Sequence, residues 1–174
     1  MFKSKTLTAD PKEHLRRTRI LLDKNDNSLL AYAALELRFC IERIVHNQLA
    51  LSDEVSRKIK KGYHPKTKKS EMMSIDPNSN HDYDIYYTDP QSGEKSYWGT
   101  YKNIPETKVN SIFGKLGAYL HMKPGLKLGV VDDPWYVETR AFLNETQMYL
   151  AERIENSEPY FSYTDLDNYE LIKK

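Results

Sequence analysis

Three groups of residues have the types and spacing to do chemistry. The densest is Arg57, Lys58, Lys60, Lys61, Lys66, Lys68 and Lys69, a basic run with no acid among residues 57–69. Such a run can neutralise several phosphates, and Tyr63 and His64 within it supply rings that can stack on bases. It reads either as a nucleic-acid-binding surface or as a solvated helix end followed by a loop. The second group is Arg38, Glu42 and His46 at i, i+4 and i+8, with Glu36 and Arg43 on the flank. That spacing stacks them along one helix face, as a network orienting a catalytic group or as a ladder of ion pairs. The third is Lys115-Leu116-Gly117-Ala118-Tyr119-Leu120-His121. A histidine at a helix C-terminus is favoured in its protonated form and can serve as general acid or base, or simply cap the last carbonyls.

Other chemistries find little support. Only 7 glycines are present and none form a phosphate-binding G-x-G-x-x-G loop. No pair of His or Cys has ligand spacing on one element, so no metal or cofactor is expected. His81, Asp82 and Asp84 are explained by strand alternation and loop polarity. Cys40 is the only cysteine; its apolar helical setting predicts a buried, inert thiol and excludes an internal disulfide.

The elements that must position these groups follow from local signals. Asp10-Pro11-Lys12-Glu13 opens a helix by capping and runs to about Lys24, with Leu15, Leu21 and Leu22 inward. Ser28 is expected to cap a longer helix to about Ala50, whose apolar stripe is Leu30, Ala33, Leu37, Ile41, Ile44 and Val45. A short helix from Ser52 to Lys61 ends at Gly62, and Pro65 opens another across Lys66–Ser74. The aromatic runs Tyr83–Thr88 and Lys95–Tyr101, separated by Asp89-Pro90-Gln91-Ser92-Gly93, predict a β-hairpin. Pro105 opens a helix with Val109, Ile112, Phe113, Leu116 and Leu120 inward. Gly114 and Gly117 in it predict close backbone approach to another helix, because glycine otherwise costs a helix about 1 kcal/mol. Asp132-Asp133-Pro134 caps a final helix to about Asn156, with Tyr136, Leu143, Leu150 and Ile154 as contacts.

The expected fold is therefore mainly α, a bundle of about five helices with an inserted β-hairpin at about 83–101. Residues 1–156 read as a single helical domain, and 157–174 as an aromatic, acidic tail, flexible or docked on a partner. A chain of 174 residues can bury enough surface for this without disulfide or metal. The formal net charge is only +1, so any attraction for nucleic acid must come from a local patch. The first residues lack the apolar core of a signal peptide, and the longest apolar run, Leu29–Leu35, is far short of a bilayer span. A cytoplasmic protein without membrane contact is expected. Tyrosine is abundant, at 13 residues; Tyr97, Trp98, Tyr160, Phe161 and Tyr163 are candidate partner-binding residues, since exposed Tyr and Trp favour interfaces.

Across roughly residues 28–155, three features in order resemble the HEPN superfamily: Leu35-Glu36-Leu37-Arg38-Phe39-Cys40-Ile41-Glu42, the aromatic insert, and Lys115–His121. These are small helical proteins of bacterial toxin–antitoxin and phage-defence systems. The resemblance implies a helical bundle that dimerises and, in active members, metal-independent RNA cleavage by an Arg followed four to six residues later by His. Here Lys115 stands where that arginine would be; Arg57 and His64 match the spacing, but Gly62 separates them. Under the resemblance, His121 would move the proton, with Lys115, Arg38 and Glu42 around it. The leading expectation is a non-enzymatic interaction subunit of a bacterial, anti-phage assembly, with a protein partner or a second copy. The alternatives are a metal-independent ribonuclease and a nucleic-acid-binding module using residues 57–69 on RNA or DNA.

Overall fold

The computed structural model of the chain describes residues 10–50, 65–75, 77–121, 133–157 and 167–174. Among them are five α-helices and three strands, so the protein is mainly α with an inserted hairpin. The helices are α1 (Pro11–Asp23), α2 (Leu30–Ala50), α3 (Pro65–Ile75), α4 (Glu106–Leu120) and α5 (Pro134–Glu155). The strands are β1 (Tyr83–Thr88), β2 (Lys95–Tyr101) and β3 (Tyr169–Lys173). The expected helix over residues 52–61 lies outside the described residues. No described helix is long and apolar enough to cross a membrane.

The chain divides into two compact units: Met1–Ile44 with Ile112–Ala151, and Val45–Ser111 with Glu152–Lys174. In the first, Asp10 caps α1 by accepting the Lys12 N–H at 2.9 Å, as its Asp-Pro signature predicts. The start of α2 differs from expectation. Asp26, not Ser28, supplies the cap, accepting the Ser28 N–H at 2.8 Å and opening a 3-10 turn, Asn27–Leu29, that runs into α2. The buried stripe of α2 then includes Leu30, Ala33, Leu37 and Ile41, while Ile44 is only half-buried. On α5 the buried positions Thr139, Leu143, Thr146, Gln147, Leu150 and Ala151 recur every three or four residues, so one stripe faces inward. Each fully buried leucine contributes about 1.5–3 kcal/mol by leaving water.

Gly114 and Gly117 do not mark a close approach. A Cβ at either position would meet nothing within 4 Å. Their cost to the helix therefore has no packing explanation in the structure. Cys40 is buried as expected, and burial pushes its thiol far up, so it is inert.

In the second unit, β1 pairs with β2 in the expected antiparallel hairpin, and β3 adds to the other side of β1 to give the order β2-β1-β3. The end of the expected tail is thus a strand. Tyr83, Ile85 and Tyr101 form the buried side of this sheet, with Tyr169 and Leu171 packed against them. A lone hairpin is marginal in water, and a third strand with an apolar face is what such a unit needs.

The largest departure is in α3, where Lys68 and Lys69 are buried, Lys69 completely. The Lys69 ammonium donates to the Ser79 carbonyl at 2.8 Å and to Asn103 Oδ1 at 2.9 Å. Asn103 Oδ1 also accepts from Gln48 Nε2 at 3.3 Å and from its neighbour Ile104 N–H at 2.8 Å. Lys69→Met keeps the stem and removes the ammonium, leaving buried acceptors without this donor. Its expected cost is about 1–3 kcal/mol for each group so stranded, read as a lower denaturant midpoint; a wild-type midpoint would contradict this role.

Candidate functional site

The sequence-predicted catalytic residues are only partly brought together. Arg38 Nε gives a 3.1 Å bond to Glu42 Oε1, and the Arg38 guanidinium carbon lies 4.5 Å from the centre of the Phe113 ring. Lys115 turns elsewhere, with Nζ 4.9 Å from the centre of the Phe142 ring. His121 is exposed just past α4; among the described residues it has no hydrogen-bond partner. His46, third in the polar strip, has Nδ1 3.2 Å from Lys68 Nζ. The strip is thus a set of separate contacts, and the pairing of Arg38 with Glu42 is the ordinary i,i+4 bridge.

Of the basic run, Arg57, Lys58, Lys60 and Lys61 lie outside the described residues. Lys66 is partly exposed. Lys68 and Lys69 correct the expectation: both are buried, Lys68 lies beside His46 Nδ1, and the Lys69 ammonium, committed to a carbonyl and a carboxamide, is not available to a phosphate. Lys69 is accommodated inside because Asn103 and the Ser79 carbonyl of the Pro77–Asn80 turn offer acceptors there.

The candidate partner-binding residues fare differently. Tyr160, Phe161 and Tyr163 lie outside the described residues, but Tyr97 and Trp98 are 57% and 41% exposed. The register of the hairpin explains both. Ile85 pairs with Gly99 and Tyr86 with Tyr97, so Trp98 is an extra residue in β2 and forms a bulge. The bulge keeps Tyr97 on the outer face of the sheet beside Tyr86, with ring centres 5.6 Å apart and edge to face. Trp98 meets Tyr169 at 5.6 Å, and Tyr169 in turn meets Tyr87 at 5.3 Å. Exposed Ile172 stands opposite Asp84 on the outer face.

Polar contacts hold that face in place. Lys95 pairs with Glu170 and lies over the Tyr86 ring. Tyr97 Oη and Thr100 Oγ1 are 2.7 Å apart, Thr100 donates to Asp84 at 2.6 Å, and Lys174 Nζ reaches Asp84 at 2.7 Å. The Lys174 bond, with the Thr100 bond second, holds the Asp84 carboxyl below the usual carboxylate range. The result is a neutral aromatic and aliphatic surface framed by two ion pairs. No family model, curated protein or solved structure matches this chain.

The first unit contains a cluster that the sequence reading missed. His14 Nδ1 lies 2.7 Å from Glu36 Oε2 and 2.8 Å from Arg17 Nη2, and Arg17 Nε donates to Glu36 Oε1 at 2.9 Å. A single ring nitrogen either donates to the carboxylate or accepts from the guanidinium, so the tautomer decides which contact is a hydrogen bond. His14 and Arg17 are one turn apart on α1, a spacing visible in the sequence, but nothing local pointed to Glu36 as their partner. Burial opposes ionisation of Glu36, yet the bonds from Arg17 and His14 outweigh it and lower its pKa.

A carboxylate with a lower pKa folded than unfolded contributes stability above its unfolded pKa, near 4.3. That contribution is lost as pH falls through the lower folded value. Glu36→Gln should therefore flatten the acid limb of the stability curve below about pH 5, measured as denaturant midpoint against pH. An acid limb identical to wild type would show that the cluster is not coupled to folding.

Proposed function

We propose that this protein is a non-enzymatic interaction module that binds a protein partner through the outer face of its three-stranded sheet. The observation that carries the reading is the pre-ordered set of exposed Tyr97 and Ile172 with half-buried Tyr86, and exposed Trp98 at the bulge. Tyr and Trp supply large contact area with few rotatable bonds, which is why they dominate interface hot spots. Ion pairs at the rim exclude water and set register without adding much affinity.

Charge favours protein over nucleic acid as the occupant. Lys95 and Lys174, the cations on this face, are both taken by Glu170 and Asp84. A phosphate-binding face needs unbalanced positive charge, because counterion release supplies most of the affinity. Service in a bacterial defence assembly is the narrower form of this proposal and rests on the resemblance alone.

The test is native mass spectrometry of the chain purified from its own host, followed by the same measurement on Tyr97→Thr/Ile172→Thr. Threonine keeps strand preference while removing the apolar contact. Loss of hot-spot contacts of about 2 kcal/mol should weaken the complex roughly 30-fold, with the melting temperature nearly unchanged. A variant that keeps its partner at wild-type stoichiometry, or a wild-type chain with no protein partner, would sink the proposal.

One observation favours a second reading, a metal-independent HEPN-like ribonuclease. His14, Arg17 and Glu36 unite a potential proton carrier and a cation, two of the groups such cleavage uses, with a carboxylate that orients them. Under it, His14→Gln and Arg17→Gln each abolish RNA cleavage by the purified protein. Unchanged cleavage in both, or none in the wild type, would dismiss it.

A further inference from the structure

We propose that a cleft beside Arg140 binds the oxyanion of a small molecule, a carboxylate or phosphate group. The cleft lies within the first unit and has a volume of about 430 Å³, within the range of small-molecule sites. Asn25 and Asn27, from the turn after α1, line one side; Tyr136, Arg140 and Asn144, from α5, line the other.

Arg140 is the reason to expect an anion. Its guanidinium donates from Nη1 to the Leu22 carbonyl and from Nη2 to Asn27 Oδ1, both at 3.1 Å. Both acceptors are uncharged. Other arginines are treated differently: Arg17, Arg38 and Arg153 each have a carboxylate partner. Among the described residues, no carboxylate lies within ion-pair distance of Arg140. The nearby Asp26 carboxylate is occupied in capping the Ser28 N–H at 2.8 Å.

The two neutral bonds fix the guanidinium plane without neutralising it. Of its five N–H groups, three make no bond to a described residue, and a planar fork of donors suits carboxylate and phosphate oxygens. The Asn25 and Asn144 carboxamides, both at exposed positions on the cleft wall, can add donors to the same oxyanion or acceptors to neighbouring hydroxyls. The Asp26 carboxylate feels the Arg140 charge across the turn, but it makes no ion pair with the guanidinium, whose direct bonds among the described residues all go to neutral acceptors.

The experiment titrates the ¹⁵N-labelled full chain with inorganic phosphate and, separately, with acetate, at fixed ionic strength. The Arg140 Nε–H and the Asn25 and Asn144 amide signals are followed by NMR. Saturating shifts are expected in at least one titration; phosphate alone points to a phosphorylated ligand, acetate alone to a carboxylate. Arg140→Gln should remove the response, but it also removes the bond at the end of α1 and can lower stability. Asn144→Asp leaves Arg140 and its two bonds in place while adding a carboxylate to the cleft, and should weaken binding by about tenfold or more. Linear, unsaturating drift with both anions, or wild-type binding by Asn144→Asp, would overturn the proposal.

Discussion

Asn103 has no exposed surface, yet four residues of the second unit, all distant from it in sequence, bond to it. Its Oδ1 accepts from Lys69 on α3 and Gln48 on α2, its carbonyl accepts from Arg153 on α5 at 2.9 Å, and its N–H donates to Asp82 at 2.9 Å. Asp82 is in turn clasped by Arg153 Nη1, 2.6 Å from both of its oxygens. A buried ammonium and a half-buried guanidinium are tolerable only where acceptors are already in place. One carboxamide just past β2 therefore ties α3 and the end of α2 to the end of the hairpin. Among the described residues, Asn103 Nδ2 and Ser79 Oγ have no hydrogen-bond partner, while the Lys69 ammonium has two.

The aromatic surface depends on that anchor. Tyr101, two residues before Asn103, accepts a bond from Gln48 and packs with Tyr83 and Ile85, fixing the buried side of the sheet. Because successive strand residues alternate sides, fixing the buried side fixes what faces out. The bulge at Trp98 alters the alternation once, in β2, and decides that Tyr97 sits beside Tyr86. A slip of one residue would exchange the faces, burying the charges and exposing the core. The outward tyrosines are thus a consequence of an inward lysine and its asparagine.

Local chemistry was legible in the sequence; long-range partnership was not. The Asp-Pro cap of α1, the apolar stripe of α2 and the hairpin with its Asp-Pro-Gln-Ser-Gly turn all follow from near neighbours. Asp89 binds the Gln91 and Ser92 N–H groups at 2.8 and 2.7 Å, and Gly93 takes a φ of 70°, as such a turn requires. β3 was missed because Tyr169–Lys173 is a short, acid-flanked segment whose pairing with β1 depends on a strand more than 80 positions earlier. Lys69 was misread for a related reason. In a run of cations, exposure is the better expectation, and the acceptors that make the inside hospitable, Ser79 and Asn103, lie 10 and 34 residues on. His14 and Glu36 are 22 residues apart on different helices, so neither suggested the other.

The distribution of paired charge also separates the functional readings. Where both signs share a surface, as at Lys95 with Glu170 and Lys174 with Asp84, long-range attraction for a polyanion largely cancels. What remains is the short-range contact area of the rings, which rewards shape complementarity. The Glu36 cluster is likewise internally balanced, since Arg17 and the carboxylate face each other at 2.9 Å. Arg140 departs from this pattern among the half-buried cations with described partners, as both its bonds go to neutral oxygens. The aromatic face with its paired charges and the cleft at Arg140 thus lie in separate units of one chain.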